Sequence, residues 1–448
     1  MFPAVDDEMV RRYDIPAPRY TSYPTAPAWS DAIGPGFYAD ALAEAGARTA
    51  PLSLYAHIPF CRERCSFCGC NVVIARRPTA ADKYLDALER EMDTVAVKLP
   101  NRRRLSQIHW GGGTPTFLDE RQIERLWRAI TSRFTVLPEA EISVEVNPEV
   151  ATREQLTLLR RLGFNRLSMG VQDTDPDVQS AIRRNQPLEV TRRTLQDARA
   201  LGFEGINFDL IFGLPKQTPT SWARTLSQVL ELRPDRAAVY GFAFLPELKP
   251  HQKRLAQFGV PRGKEKLELF RIAYDAFTAA GYRPIGMDHF ALPGDELSRA
   301  QQLRKLTRNF QGYTVQAATE VVAFGVTGIS DVGGLYAQNL HTLPRYEAAA
   351  NAGLLCTERG FFLSPEDRRR REVITQIMCN FYVDLGPEGA RHFAPELERL
   401  RQLESEGLLR IDGAQIELTE LGRVFVRNVA MVFDEYLKKP GARFSRAV

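Results

Sequence analysis

The 448-residue chain is short of several things. No run reaches the roughly 18 apolar residues that a membrane-spanning helix needs. The opening segment "MFPAVDDEMVRRYDIP" has no apolar stretch after a basic one, so no secretory signal is expected and the predicted location is the cytoplasm. Charge is not concentrated either. The net charge is +4, and the basic runs "RRR" (102–104) and "RRRR" (368–371) are short and lack interleaved aromatics. Solvated helix faces explain them better than a nucleic-acid surface. Cysteine is scarce, with six in all, and a structural disulfide framework is not expected in the cytoplasm.

What is present fits a globular protein of two or three domains, with 44% hydrophobic and 25% charged residues. Residues 1–50 contain "IPAPRYTSYPTAPAWS", a Pro- and Tyr-rich stretch without periodicity, predicted to be an arm laid over a folded body. Strand patterns follow at 52–59, 106–112, 141–147, 165–171, 205–213 and 236–244, with helical patterns between them. Two of these helices, "EQLTLLRRLG" and "TRRTLQDARALG", end in glycine, as helix C-termini often do. Six β/α units predict an α/β fold with a parallel sheet or partial barrel, a (βα)6 arrangement.

Side chains alternate along a strand, so each strand has two faces. Leu52, Leu54, Ala56 and Ile58 oppose Ser53, Tyr55 and His57. Ile142, Val144 and Val146 oppose Ser143, Glu145 and Asn147. Leu167, Met169 and Val171 oppose Arg166, Ser168, Gly170 and Gln172, and Ile206, Phe208 and Leu210 oppose Asn207 and Asp209. Helices outside would take the apolar rows. The polar rows then face a lumen wide enough to hold ligands. Beyond residue 250 the chain reads as a helix over 262–282, a barrel-associated extension to 360, and a small, mostly helical C-terminal domain over 361–448. That last part shows helices near 366–382 and 394–407, a hairpin "LLRIDGAQIELTE" and a final helix "GRVFVRNVAMVFDEYL", an order similar to a winged helix.

Four of the six cysteines crowd into "CRERCSFCGC", just past the first strand. Cys61, Cys65 and Cys68 form C-x3-C-x2-C, a tight loop suited to thiolate ligation of an iron–sulfur cluster. Three ligands leave one iron of a four-iron cluster open to a small molecule. Zinc is the alternative, though structural zinc takes four ligands. Cys70 is too close to Cys68 to complete the set easily and reads as a buried small hydrophobe, while Cys356 and Cys379 read as core.

A C-x3-C-x2-C loop after the first strand of a six-unit β/α barrel resembles the radical S-adenosylmethionine (SAM) superfamily, and "HWGGGTP" (109–115) resembles its second motif. "PRYTSYPTA", "YAHIPFCRERCSFCGCN", "GVQD", "DLIFGLPKQT", "GMDHFA" and "RNFQGYT" together resemble the oxygen-independent coproporphyrinogen III oxidases. That resemblance implies conversion of two propionates of coproporphyrinogen III to vinyls in haem biosynthesis. It implies a [4Fe-4S] cluster on Cys61, Cys65 and Cys68, and two molecules of SAM, one of them cleaved to a 5'-deoxyadenosyl radical. It implies catalytic positions at Tyr55, His57 and Glu145. SAM contacts are implied at Tyr55, Gly112, Gly113, Thr114, Glu145, Gln172, Arg184, Asp209, Ala243 and Ile329. Substrate contacts are expected from Arg19, Tyr20, Tyr23, Arg308, Asn309, Gln311 and Tyr313, because a tetrapyrrole with four carboxylates asks for aromatic walls and cations. A reduced flavodoxin or ferredoxin is the implied electron donor, and a monomer is expected.

The chain departs from the family's usual pattern at Phe242, Phe244, Thr307 and Asn147, which touches the substrate fit. Three other readings compete: a haem chaperone that keeps the cluster, another tetrapyrrole-acting radical SAM enzyme, and a zinc-stabilised interaction protein. Cys70 and "RYTSYPTA" argue against the first, and "GMDHFA" and "NFQGYT" against the second.

Overall fold

A computed structural model describes residues 1–315, 320–437 and 444–446. Six parallel strands run in chain order, each beside the next: β1 (Leu52–Ile58), β2 (Arg104–Gly112), β3 (Thr135–Val146), β4 (Arg166–Gln172), β5 (Gly205–Phe212) and β6 (Arg236–Gly241). Helices α3 (Asp82–Val97), α4 (Glu120–Thr131), α5 (Arg153–Arg161), α6 (Pro176–Ile182), α7 (Leu188–Ala200) and α8 (Pro219–Leu232) lie between them, and α9 (Lys264–Ala279) follows β6. The six β/α units expected from the alternating pattern are therefore present.

The local chemistry is consistent with this. Asp119 and Gln122 cap the start of α4 reciprocally, as do Thr152 and Gln155 at α5. Past the ends of α5 and α7, Gly163 and Gly202 take φ of +102° and +82°, which a side chain would oppose. The apolar strand faces form the main core: Leu54, Ile108, Val144, Leu167 and Phe208 are all 1% exposed or less. Truncating such a residue to alanine costs about 2–5 kcal/mol.

The sheet continues past both ends of the parallel set. Beyond β6 lie antiparallel β8 (His289–Ala291) and β7 (Arg283–Gly286). Beyond β1, β9 (Val321–Phe324) pairs parallel, and β10 (Ile329–Val332), β11 (Leu335–Asn339) and β12 (Thr357–Phe362) follow antiparallel. The twelve strands keep two edges, β12 and β7, so the barrel stays open. Ser30 bridges Gly360 and covers the β12 edge.

A second core joins the N-terminal arm to the C-terminal elements. The arm is less irregular than expected, with helices α1 (Asp7–Tyr13) and α2 (Pro35–Gly46). Arg427 clamps it by donating to the carbonyls of Ala17 and Pro18, and Asn428 donates to the carbonyl of Tyr13. The expected final helix is instead two short ones, Glu420–Val424 and Val426–Met431. Phe425 leaves the helical conformation between them and buries its ring against Tyr13, 5.1 Å between centroids. Residues 438–443 and 447–448 of the expected C-terminal domain, and 316–319 of the expected extension, lie outside the described residues.

Candidate active site

The cysteine loop leaves the C-terminal end of β1. Its base is closed by the amide of Val73, which donates to Pro59 at 2.7 Å, and that of Ala75, which donates to Cys61 at 3.0 Å. Neighbours hold it from outside. The Ser66 amide donates to Ile182, Gln252 donates to Phe67, and His251 lies 2.8 Å from the Cys68 carbonyl. Cys61, Cys65 and Cys68 are partly exposed free thiols. Burial pushes the Cys61 thiol up to about 11, so the loss of its proton awaits a metal. Cys70 is exposed rather than buried, which corrects the reading of it as a core residue. Its closeness to Cys68 makes the Cys68 proton easier to lose and its own harder. Cys356 and Cys379 are buried as expected.

Among the described residues, no three Cys, His, Asp or Glu side chains converge tightly enough to chelate a single metal ion. A four-iron cluster asks for a spread set, one thiolate on each of separate irons. Three partly exposed thiols on one pinned loop fit that demand. Thr114 lies 3.3 Å from the Cys61 sulfur, and an Arg184 nitrogen 3.9 Å from that of Cys65.

Beside the loop, the end of β2 passes close to its neighbours, and Gly113 meets backbone. An added Cβ would stand 2.6 Å from His57 at Gly112, 2.6 Å from the Pro59 carbonyl at Gly113 and 2.8 Å from Glu145 at Gly111. Gly112 also has φ of +120°. Its amide donates to Glu145 Oε2 at 2.9 Å.

The inward rows stack in layers. At the bottom Ser53, Gln107, Glu141, Arg166, Glu296 and Arg236 form one hydrogen-bonded and ionic plug. Above it, Tyr55 stacks on His109, 5.8 Å between centroids, and His109 reaches Ser143 at 2.6 Å and Glu145 at 3.4 Å. The Tyr55 hydroxyl lies 3.0 Å from His57 Nδ1, and His57 Nε2 lies 3.2 Å from the Asn71 carbonyl. A carbonyl only accepts, which assigns the proton to Nε2 and makes Tyr55 the donor to Nδ1. Burial lowers the His57 pKa and keeps the ring neutral at pH 7.

The two carboxylates differ. Burial pushes Glu145 up, but the hydrogen bonds from His109 and the Gly112 amide outweigh this and leave it below the ordinary value. Its side chain keeps 42% of its surface open, as a group facing an internal space does. Asp209 takes hydrogen bonds from Ser168 and Asn207, both 2.9 Å. Burial, followed by the charge of Glu145, still raises it to about 7.

Arg184 donates to Gly170, Asn147 and Gln186, neutral groups all, so the guanidinium is no surface ion pair. Gln172 sits at a bulge in the β4–β5 register with φ of +67°, a conformation uncommon outside glycine. Ala243 lies just past β6. Ile329 begins β10 and packs toward Trp29 and Tyr336.

Of the expected substrate residues, Arg19 pairs with buried Asp288 and lies over the Tyr240 ring, 5.4 Å from its centroid. Tyr20 and Tyr23 are buried in the second core, tied to Asp434 and to the Glu435 amide. They pin the arm. Asn309 accepts from the Gln311 amide within the hairpin that also carries Arg308 and Tyr313. Phe242 and Phe244 pack into the apolar cluster beside Phe67 of the cysteine loop. His109, His251 and Gln252 were not among the expected site residues. Alternation along "SQIHWGG" places His109 inward beside Tyr55; no local signal marks the other two.

A parallel six-unit barrel with a three-thiol loop on its first strand defines the radical SAM class, and residues 55–229 match the model described as "Radical SAM superfamily". Residues 363–425 match the "HemN C-terminal domain". The chain is 42% identical over 456 residues to an oxygen-independent coproporphyrinogen III oxidase of Pseudomonas aeruginosa, covering 99% of this chain and 98% of that one. It is 43% identical over 452 residues to the Escherichia coli enzyme of the same name, with the same coverage. A solved structure of coproporphyrinogen III oxidase from Escherichia coli, described as a radical SAM enzyme, superposes with a TM-score of 0.90 at 44% identity, covering 93% of this chain and 97% of that one. The chain belongs to the oxygen-independent coproporphyrinogen III oxidase family. Among the described residues no helix is long and apolar enough to cross a membrane.

Proposed function

We infer that this chain catalyses oxidative decarboxylation of two propionates of coproporphyrinogen III to vinyls, giving protoporphyrinogen IX. The observation that carries this is the meeting, at one end of an open barrel, of the three-thiol loop with a polar lumen built on Glu145 and Asp209. When bound, a reduced four-iron cluster supplies the electron that cleaves SAM to methionine and a 5'-deoxyadenosyl radical.

The residues divide the remaining work. Cys61, Cys65 and Cys68 hold the cluster. Gly112, Gly113 and Thr114 let ligand and backbone approach beside it. Glu145, held ionised by His109 and the Gly112 amide, suits an ammonium group. Asp209 suits ribose hydroxyls, and Arg184, with neutral partners only, suits a carboxylate. Gln172, Ala243 and Ile329 complete the space for SAM, and two molecules of it are proposed. Tyr55 and neutral His57 form one donor chain ending at the Asn71 carbonyl, which fixes both rings at the mouth of the cavity. The arm over 1–50, the barrel over 51–290, the extension to 360 and the domain over 361–448 are the proposed working units. The proposed setting is a cytoplasmic monomer reduced by a flavodoxin or ferredoxin.

The reading is tested anaerobically. The protein is loaded with iron and sulfide, then given reductant, SAM and coproporphyrinogen III. A divinyl product is expected. SAM cleavage without vinyl product would point to another substrate, and binding of haem without turnover to a chaperone.

A further inference from the structure

Most arginines turned into this chain's interior are neutralised by carboxylates. Arg166 and Arg236 share Glu296, Arg102 pairs with Glu320, Arg371 with Asp331 and Arg19 with Asp288. Arg308 differs. Among the described residues no carboxylate lies within ion-pair distance of it. Its Nε is buried with no hydrogen-bond partner. Its Nη1 lies 3.9 Å from the Met287 sulfur, and its guanidinium lies over the Tyr313 ring, 4.7 Å from the centroid. A desolvated guanidinium nitrogen without an acceptor is unfavourable unless a ligand supplies one.

The setting is firm. Arg308 faces Tyr313 across a short hairpin, and the Tyr313 hydroxyl donates to the Met378 carbonyl at 3.3 Å. Gln107 of the lumen plug donates to Thr314 of the same hairpin at 3.2 Å. Met287 is held at φ of +42°, a conformation that costs a non-glycine residue about 1–3 kcal/mol.

An aromatic row leads from Arg308 toward the lumen. Tyr313 meets His289 edge-on at 5.0 Å, and His289 meets Tyr240 at 5.6 Å. Tyr240 stands two residues from Ala238, the register partner of Asp209. A cation at one end and rings along the side match an apolar macrocycle bearing carboxylates.

We propose that Arg308 binds a propionate carboxylate of the tetrapyrrole and that the Tyr313–His289–Tyr240 row forms the wall beside it. The assignment rests on the substrate reading above. Arg19, already neutralised by Asp288, fastens the arm instead.

The full-length, cluster-loaded protein is titrated with coproporphyrin III by fluorescence and assayed with coproporphyrinogen III. Arg308→Gln should weaken porphyrin binding about tenfold or more and raise KM, while SAM cleavage without substrate stays at the wild-type rate. Arg308→Lys, with the charge but not the fork, should fall between the two. If Arg308→Gln loses its cluster absorbance through misfolding, the Lys variant decides: weaker binding supports the assignment and unchanged binding overturns it. Equal affinity and KM in wild type and a folded Arg308→Gln also overturn it. Failure of the wild type to bind coproporphyrin III would remove the substrate reading and this assignment together. A difference absent only between variants removes the assignment alone.

Discussion

The Gly112 amide donates to Glu145 Oε2 at 2.9 Å, while the His57 ring fills the space a Gly112 side chain would need. Glycine turn, carboxylate and histidine are therefore one unit, not three independent contacts. Gly112→Ala forces the ring or the turn to move at a backbone angle unfavourable to alanine. A displacement near 1 Å at such a site costs roughly 100-fold in rate. SAM cleavage should fall by about that factor with cluster absorbance retained, and an unchanged rate would contradict the unit.

Cys65→Ser should abolish cluster assembly, read as loss of the visible absorbance after reconstitution. Cys70→Ser should keep it, because the proposed ligand set is Cys61, Cys65 and Cys68, and Cys70 is an exposed thiol beside it. Loss of the cluster in the Cys70 variant would refute that division.

Asp209 titrates near 7 in the folded chain and near 3.9 unfolded. The folded state therefore holds the proton more tightly. The stability this gives is complete below the unfolded value and is lost as pH rises through about 7. Asp209→Asn should melt higher than wild type at pH 8 without SAM, the difference shrinking toward pH 5, and should bind SAM poorly. An equal difference at both pH values would contradict the linkage.

Much of the barrel was legible because strand alternation and helix ends are local signals. The inward positions of Tyr55, Glu145 and Asp209 follow from period two together with the helices that cover the apolar rows. The arm was not legible in this way: Arg427 on Ala17, Tyr20 on Asp434 and Arg19 on Asp288 join residues about 270 or more positions apart. The same holds for His251 and Gln252, which steady the cysteine loop from 183 and 185 positions away. The break at Phe425 was invisible for a related reason. The helical pattern continues through it, and its contact with the Tyr13 ring joins residues far apart in the sequence.

Those distant contacts give a prediction for the arm. Arg427→Gln removes donors from the carbonyls of Ala17 and Pro18, a loss of roughly 2–3 kcal/mol. Limited proteolysis should then cut faster between residues 14 and 20, with SAM cleavage retained and vinyl formation reduced. Unchanged proteolysis would show that other contacts hold the arm.

The central claim is that this barrel turns SAM against a propionate side chain. Coproporphyrinogen III deuterated on its propionates tests it most directly, with the 5'-deoxyadenosine examined by mass spectrometry after anaerobic turnover. The account predicts deuterium in the 5'-deoxyadenosine together with divinyl product. Unlabelled 5'-deoxyadenosine beside unreacted substrate would contradict it.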